Sequence, residues 1–367
     1  GGLARHVGRL SDELAAQGHE VHVVTRAGPG PSGDAVREGV HVHRVPASRT
    51  PWDLDAFLAW IDELNAGLLA AGRALGGGFD VVHGHDWLVG RAADALARGL
   101  GVPLVMTFHA TEHGRHEGRV AHHPQDRIHA SERALARRAD AVIACSRFMG
   151  AHVTEVFGLD PARVRVIANG IDAPAAAPRR AAREDGERLV LLVGRLVYEK
   201  GFQVALDALP AVLAAVPGAR FVVAGSGPYE EELRAQAERL GLLDRGAFLG
   251  WTGDAALAEL YAAADVCAVP SLFEPFGLVA LEAMAAGCPV VAADTGGLRE
   301  VVPDGTGLRV RPGDAGDLAR ALAEVLTDPG RAVTLAAAAR AHAAGFGWGA
   351  AARRTAEVYA QVVAGAR

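Results

Sequence analysis

The residues best suited to chemistry in this chain are two cations in one short segment. Residues 194–201 (GRLVYEKG) follow an apolar run, residues 189–193, which is predicted to be a buried strand. Lys200 is the only lysine in the whole sequence, whereas arginine is common. Ligands of open α/β sheets bind beyond the carboxyl ends of the strands, and glycines let the backbone approach them closely. Arg195 and Lys200 in this position favour the binding of a diphosphate over a solvated basic turn.

Two glutamates, Glu274 and Glu282, flank a second candidate site. Gly277 marks a turn between them, and residues 278–286 are predicted to begin a helix. A helix start offers unpaired N–H groups and partial positive charge to an anion. Glu282 would then accept from ribose hydroxyls and Glu274 from a transferred sugar. A helix cap with surface charge is one alternative, and the acid–nucleophile pair of a glycosidase is another. The glycosidase is disfavoured because it has no use for an anion-binding helix start.

A third motif, residues 224–228 (AGSGP), is predicted to be the end of a strand and a tight glycine turn before a helix. It does not match the dinucleotide-binding fingerprint, because Glu230 stands where the third glycine belongs. Beside the other two motifs, it is interpreted as a wall of a nucleotide pocket.

The first half of the chain is rich in histidine, with fourteen of the fifteen histidines before residue 153. His85, Asp86 and Trp87 follow one predicted strand, and His109 ends the next. We expect these groups to bind sugar hydroxyls in a cleft. A zinc site is the alternative interpretation of the HxHD motif at residues 83–86. It is disfavoured because no further ligands are found at a suitable spacing. Trp87 is interpreted either as stacking on a sugar ring or as part of the core.

Composition excludes several other classes of protein. The net charge of -6 gives no electrostatic case for binding nucleic acid. The three cysteines are far apart, which is typical of a reduced, cytoplasmic protein. There is no apolar run of membrane-spanning length, although a peripheral membrane contact stays open. The acidic segment Asp53-Leu54-Asp55 could be a metal-binding DxD, but a helix N-cap is the favoured interpretation.

Strand-like and helix-like segments alternate along the chain, which predicts an α/β fold with parallel sheets. The expected domains are residues 1–172, a linker at 173–187, residues 188–345, and a final helix, 346–367, that returns to the first domain. Each domain is expected to be Rossmann-like, and the two to face each other across a cleft. Because an α/β domain usually opens with a strand, a further strand is expected before Gly1.

The ordered set of motifs resembles the retaining glycosyltransferase family 4, which has the GT-B fold, and also the glycogen and starch synthases. The resemblance spans nearly the whole chain. It is carried by GGL at 1–3, GHEV at 18–21, HDW at 85–87, TFH at 107–109, ACS at 144–146, NGID at 169–172, GRLVYEKG at 194–201 and the spaced glutamates.

The resemblance implies a role for each candidate residue. Arg195 and Lys200 would bind the donor diphosphate, Glu282 the ribose, and Glu274 the transferred sugar. Backbone N–H groups at the start of the helix would bind phosphate, Gly2 would close over the phosphates, and His109 would contact the donor sugar near the reacting carbon. The implied catalytic residues are His109, Glu274, Arg195 and Lys200. The implied donor-binding residues are Gly2, Gly194, Gly225, Gly227, Gly277, Leu278, Val279 and Glu282. The implied sugar-binding residues are His85, Asp86 and Trp87.

The function expected on this basis is retaining transfer of a hexose, with glucose favoured, from a nucleoside diphosphate sugar to a glycan or small sugar. No metal and no cofactor are expected. The alternatives are a family member with another donor and a lipid or metabolite acceptor, a same-fold phosphorylase or epimerase, and a nucleotide-sugar-binding protein without activity.

Overall fold

The structure is a computed structural model that describes residues 2–28, 32–48, 51, 54–172 and 186–366. The chain divides into two compact units, Gly1–Gly170 with Trp348–Arg367, and Ile171–Gly347. Asp53 and residues 173–185 of the expected linker lie outside the described residues.

The first unit combines two sheets with helices. Its strands are β1 (Val21–Arg26), β2 (Gly33–Arg37), β3 (Val40–Val45), β4 (Val82–His85), β5 (Leu104–Phe108), β6 (Ala141–Ala144) and β7 (Val164–Val166). Its helices are α1 (Gly2–Ala16), α2 (Leu54–Ala74), α3 (Gly90–Leu100), α4 (Glu112–Arg115), α5 (Gln125–Arg138), α6 (Arg147–Phe157) and, at the end of the chain, α14 (Trp348–Ala366). Among the described residues, β4-β5-β6-β7 form a parallel sheet, and β1-β3-β2 form a second sheet in which β2 is antiparallel to β3.

The last helix, α14, belongs to the first unit and not to the second, which precedes it in the chain. Its residue Ala352 is fully buried against Leu10 and Leu14 of α1. These leucines lie on the apolar face of α1 that the helical spacing predicts, and Gly18, with a positive φ of 92°, follows the end of the helix.

The second unit holds a sheet that is parallel throughout its described strands. The strands are β8 (Arg188–Val193), β9 (Ala219–Ala224), β10 (Gly246–Gly250), β11 (Val266–Val269), β12 (Val290–Ala293) and β13 (Leu308–Val310). The helices are α7 (Phe202–Ala215), α8 (Glu230–Arg239), α9 (Asp254–Ala263), α10 (Leu278–Ala285), α11 (Leu298–Val301), α12 (Ala315–Thr327) and α13 (Pro329–Ala343). The sheet order is β10-β9-β8-β11-β12-β13, the doubly wound order of a Rossmann domain.

Apolar sequence explains why this sheet forms. β8 is a nearly continuous run of leucine and valine, and β11 is the apolar run Val-Cys-Ala-Val. The central residues of both strands are buried, as in strands with helices on both faces. Leu206 and Leu209 of α7 and Leu322 of α12 pack in the same core cluster as Leu192 of β8. The core holds the carboxyl ends of β8 and β11 in place, and the loops that carry the candidate residues begin there.

The strand predicted at residues 189–193 is found as β8 with one further residue at its start, whereas β2 and β3 were not predicted. Every residue of β2 is exposed, and β3 alternates histidine or arginine with valine, so neither strand has the apolar run that marks the others. His85, which was predicted to follow a strand, is the last residue of β4.

Candidate active site

The loops after β8 and β11 lie at the point where the chain order of the second sheet reverses. β9 and β10 continue the sheet on one side of β8, and β11, β12 and β13 on the other. At such a switch point the loops beyond the two adjacent strands turn to opposite faces of the sheet and leave a crevice for a ligand. Arg195 and Lys200 follow β8, and Glu274 follows β11. The sheet order therefore brings together residues that are far apart in the sequence.

Lys200 and Glu274 are in direct contact. Lys200 Nζ lies 2.8 Å from Glu274 Oε2, and the Ser271 hydroxyl donates to the same oxygen at 3.3 Å. The side chain of Glu274 is 11% exposed and that of Lys200 is 22% exposed. An ammonium and a carboxylate this sheltered from water interact more strongly than a surface pair. The pair places a cation and an acceptor side by side, which suits a ligand that carries a phosphate next to a hydroxylated ring.

Arg195 has a different environment. It is exposed, and among the described residues no carboxylate forms an ion pair with it. Its neighbour in the sequence, Leu196, is fully buried and holds this part of the loop in place. Of the two cations of the motif, Arg195 is therefore the one available to an anion without breaking a contact.

The glycines of the two glycine motifs pack backbone against backbone. A Cβ on Gly225 would lie 1.8 Å from the Gly194 oxygen, and one on Gly227 would lie 2.2 Å from the Leu196 oxygen. Leu196 N donates to the Ser226 oxygen at 3.1 Å, which ties the loops after β8 and β9 together. Close backbone packing therefore explains why Gly225 and Gly227 are glycines. Their contact with a donor stays a prediction.

The helix α10 begins as the second motif predicts. Its first residues are Leu278 and Val279, and Gly277 before them has a φ of 111° and no side-chain cap. A Cβ on Gly277 would lie 2.7 Å from Leu298 Cδ2, so a larger residue would both strain the turn and clash. The first N–H groups of a helix have no partner within the helix, so this start can serve an anion.

Glu282 lies one turn into α10 and is positioned by a tyrosine that the sequence did not reveal. The Tyr261 hydroxyl donates to Glu282 Oε2 at 3.1 Å. Burial, together with the neighbouring Glu282, raises the pKa of Tyr261 well above its ordinary value, so the hydroxyl stays a donor. Glu282 and Glu274 therefore have separate partners, Tyr261 for one and Lys200 for the other.

In the first unit, His85 and His109 are brought together at the carboxyl ends of β4 and β5. His85 Nδ1 lies 3.2 Å from His109 Nε2. A third histidine, His6 of α1, contacts both, with its ring centroid 4.5 Å from that of His109 and 5.3 Å from that of His85. The Asn169 side chain fixes His6, its Oδ1 lying 2.9 Å from His6 Nδ1. Sequence reasoning missed His6, whose only signal was the general enrichment of histidine in this half.

Burial keeps this group of imidazoles neutral. It lowers the pKa of His6 to about 4 and that of His83, which lies beside His85, to about 3. The pKa values of His85 and His109 are also well below the ordinary value, because of burial first and of the neighbouring histidines second. Neutral imidazoles offer both a hydrogen-bond donor and an acceptor, which suits sugar hydroxyls. The ring nitrogens of His6, His85 and His109 also lie within 4.8 Å of one another, a spacing that could hold a metal ion.

The other two residues of the HDW motif contribute to the framework. Asp86 is buried, has a positive φ of 61°, and its Oδ1 accepts from the His109 backbone N–H at 2.8 Å. Trp87 packs with Phe57 in the cluster of α2 and α3 residues, which favours the core interpretation over stacking on a sugar. Gly2, expected to close over the phosphates, is the first residue of α1.

The chain matches two protein-family models, one after the other. Residues 1–173 match the model described as Glycosyltransferase Family 4, and residues 176–342 match the model described as Glycosyl transferases group 1. The chain is 42% identical to a glycogen synthase of Mycobacterium tuberculosis over 100% of its own length and 92% of that protein. The chain belongs to the family 4 glycosyltransferases.

Other relatives of this glycosyltransferase carry different names. It is 36% identical to a D-inositol 3-phosphate glycosyltransferase of Xylanimonas cellulosilytica, with 98% of this chain and 92% of that protein covered. Among solved structures, it superimposes on sucrose-phosphate synthase from Thermosynechococcus elongatus with a TM-score of 0.86 and 30% identity, covering 100% and 94% of the two chains. The GT-B fold, with its two Rossmann-like domains, is thereby confirmed, and the protein is a hexosyltransferase.

No helix described for this glycosyltransferase combines the length and the apolar character needed to cross a bilayer.

Proposed function

We propose that this hexosyltransferase moves a glucosyl group, with retention of the anomeric configuration and without a metal ion, from a nucleoside diphosphate sugar to a glycan or small sugar. The observation that carries the proposal is the Lys200–Glu274 pair at the switch point of the second sheet, together with the exposed Arg195 and the start of α10. At this point the cations and the helix start suit the phosphates of a donor molecule, and the carboxylate suits the sugar of the same molecule.

The charges of the site are suited to stabilising the group that leaves when the bond between sugar and diphosphate breaks. When the anomeric carbon leaves the diphosphate oxygen, negative charge develops on the diphosphate. Arg195, Lys200 and the N–H groups at Leu278 and Val279 would stabilise that charge in place of a metal ion. Removal of one such preorganised donor typically costs roughly 3–4 kcal/mol of transition-state stabilisation.

Retention is proposed to follow from attack on the same face of the sugar. The acceptor hydroxyl forms the new bond to the anomeric carbon, and its proton passes to an oxygen of the departing diphosphate. Both glutamates of the second unit are already engaged, Glu274 with Lys200 and Glu282 with Tyr261, which favours binding roles over that of a covalent nucleophile. His109, held neutral by burial, would donate to or accept from the donor sugar without adding charge.

The names of the relatives support glucose and a glucan. A glycogen synthase is 42% identical over the full chain, and sucrose-phosphate synthase has the same fold at 30% identity. A second candidate acceptor is a phosphorylated cyclitol. Several D-inositol 3-phosphate glycosyltransferases are 34–36% identical to this chain. A transfer assay with each acceptor distinguishes the two candidates.

A donor screen followed by a transfer assay tests the proposal. We expect one of ADP-, UDP- and GDP-glucose to raise the melting temperature of the protein more than the other nucleotide sugars do. That donor should then support elongation of a short α-glucan, with the product of the same anomeric configuration as the donor. Transfer to inositol phosphate but not to the glucan would show that the proposed acceptor is wrong, while the proposed transfer reaction would still hold. Sugar release that requires inorganic phosphate would instead indicate a phosphorylase.

A further inference from the structure

A second histidine cluster lies on the three-stranded sheet of the first unit, apart from the residues assigned to donor or sugar. His22 is the second residue of β1 and is paired in register with His41, the second residue of β3. Their rings are stacked, with centroids 4.6 Å apart and planes 8° apart. Glu20 lies just before β1, and its carboxylate contacts the ring of His22 two residues later.

A chain of hydrogen-bonding contacts runs through this cluster from one carboxylate to another. His22 Nε2 lies 3.2 Å from Glu20 Oε1, and His22 Nδ1 lies 3.1 Å from His43 Nε2. His43 Nδ1 in turn lies 3.0 Å from Asp34 Oδ1. Asp34 of β2 is the cross-strand partner of His43 in β3, so the sheet register itself builds this end of the chain.

Two neutral imidazoles cannot satisfy all three of these contacts. The three contacts each require one hydrogen between the facing atoms, and ionised carboxylates only accept. A neutral imidazole has a single N–H, so His22 and His43 together supply two hydrogens for three contacts. The third contact needs either an additional proton or a metal ion.

The end of the chain at Glu20 has the ligand types for a metal ion. Because an imidazole binds a metal in its own ring plane, His41 would have to rotate out of its stack on His22 to share the ion. One atom each of Glu20, His22 and His41 lies within 4.8 Å of the other two. Two imidazoles and one carboxylate, with a fourth position left to water, are a ligand set that proteins use for zinc. Calcium and magnesium prefer oxygen ligands, so this set favours a borderline divalent ion such as Zn²⁺.

The other end of the chain then serves to orient the ligand. With the metal on His22 Nε2, His22 Nδ1–H donates to His43, and His43 Nδ1–H donates to the Asp34 carboxylate. Metal-bound histidines commonly donate their second N–H in this way, which fixes the ring and its tautomer. His43 is buried whereas Glu20 is exposed, so the orienting part is sheltered and the metal has a path from solvent.

We propose that Glu20, His22 and His41 form a binding site for a zinc-like divalent cation, oriented through His43 and Asp34. The site lies at the amino ends of β1 and β3, whereas the residues assigned to transfer follow the carboxyl ends of other strands. The proposal does not depend on the identity of the donor or the acceptor.

Zinc titration of the intact chain against a chromophoric chelator tests this site. His22→Ala and His41→Ala should each weaken Zn²⁺ binding at least tenfold, and Asp34→Ala about ten- to hundredfold through the lost orientation. Glu20→Ala changes an exposed side chain and should weaken binding without affecting the fold, which circular dichroism checks. His19→Ala removes an exposed histidine from the same segment and should leave the affinity unchanged.

Two results would overturn the proposal. One is unchanged zinc affinity in folded His22→Ala and His41→Ala. The other is loss of zinc binding in His109→Ala alone, which would place the ion at the cluster of His6, His85 and His109. An unchanged affinity in Asp34→Ala would refute the orienting role of His43 and Asp34.

Discussion

Lys200 Nζ and Glu274 Oε2 lie 2.8 Å apart, although the two residues are separated by 74 positions in the chain. Each follows one of the two central strands, β8 and β11, which pair in parallel. The only lysine of the sequence thus lies against the carboxylate expected to bind the transferred sugar. Lys200 has a partner while Arg195 is exposed, so the two cations should respond differently to substitution.

Both Arg195→Ala and Lys200→Ala should lower turnover about a hundredfold or more, because each removes charge that faces the leaving diphosphate. Arg195→Ala should leave the melting temperature unchanged, since Arg195 is exposed. Lys200→Ala should lower it, because Glu274 would lose its ion-pair partner in a sheltered position. Steady-state kinetics and thermal melts measure both effects. Arg220→Ala, an exposed arginine of β9, is the matched control, and near-normal turnover in either cation variant would contradict the assignment.

The two glutamates should separate nucleotide binding from transfer. Glu282→Ala should weaken binding of the free nucleoside diphosphate about ten- to hundredfold, because a hydrogen bond to a charged group contributes about 1.5–3 kcal/mol. Glu274→Ala should leave that affinity equal or higher, since Lys200 is released from its partner, while transfer falls sharply. Isothermal titration calorimetry with the nucleoside diphosphate measures the contrast. Equal losses of affinity in both variants would refute the division of roles.

Tyr261 is expected to position Glu282 for the ribose. Tyr261→Phe removes the hydroxyl that donates to Glu282 Oε2 and keeps the buried ring. Nucleoside diphosphate affinity should therefore fall by less than in Glu282→Ala, and in the double variant Tyr261→Phe with Glu282→Ala the two losses should not add. Calorimetry on the four proteins of this cycle measures the coupling. Fully additive losses would show that Tyr261 acts independently of Glu282.

Transfer activity should survive EDTA, because Arg195, Lys200 and the start of α10 are expected to do the work of a metal ion. Zinc bound at Glu20, His22 and His41 would be removed by the same treatment without loss of turnover. Initial rates before and after dialysis against EDTA test this. A complete loss that Mg²⁺ or Mn²⁺ restores would refute metal independence.

Glu132 should make the protein less stable as the pH rises. Burial raises the pKa of its carboxyl to about 8, from an ordinary value of 4.5. Between these values the folded chain keeps a proton that the unfolded chain has lost, so the free energy of unfolding falls with increasing pH. Glu132→Gln keeps an acceptor for the Glu112 N–H and removes the ionisation. The melting temperature of this variant relative to wild type should therefore rise from pH 5 to pH 8, and a constant difference would contradict the prediction.

The local sequence pattern was sufficient to predict the framework of the second unit. The apolar run of β8, the end of β9 and the glycines after them predicted strands and ligand loops near the observed positions. It failed for β2 and β3, because an exposed strand and a strand of alternating valine and histidine lack the apolar signal. The cluster of Glu20, His22 and His41 depends on that missed pairing.

The sequence by itself determined the two-domain α/β class, the start of α10 and the types of residue available for phosphate and sugar. These depend on hydrophobic periodicity and on glycine positions, which act over a few residues. Only the tertiary structure decided that Lys200 contacts Glu274, that Tyr261 supports Glu282 and that His6 joins His85 and His109. Each of these contacts joins residues distant in sequence, and sheet order and helix packing, which no local pattern encodes, bring them together.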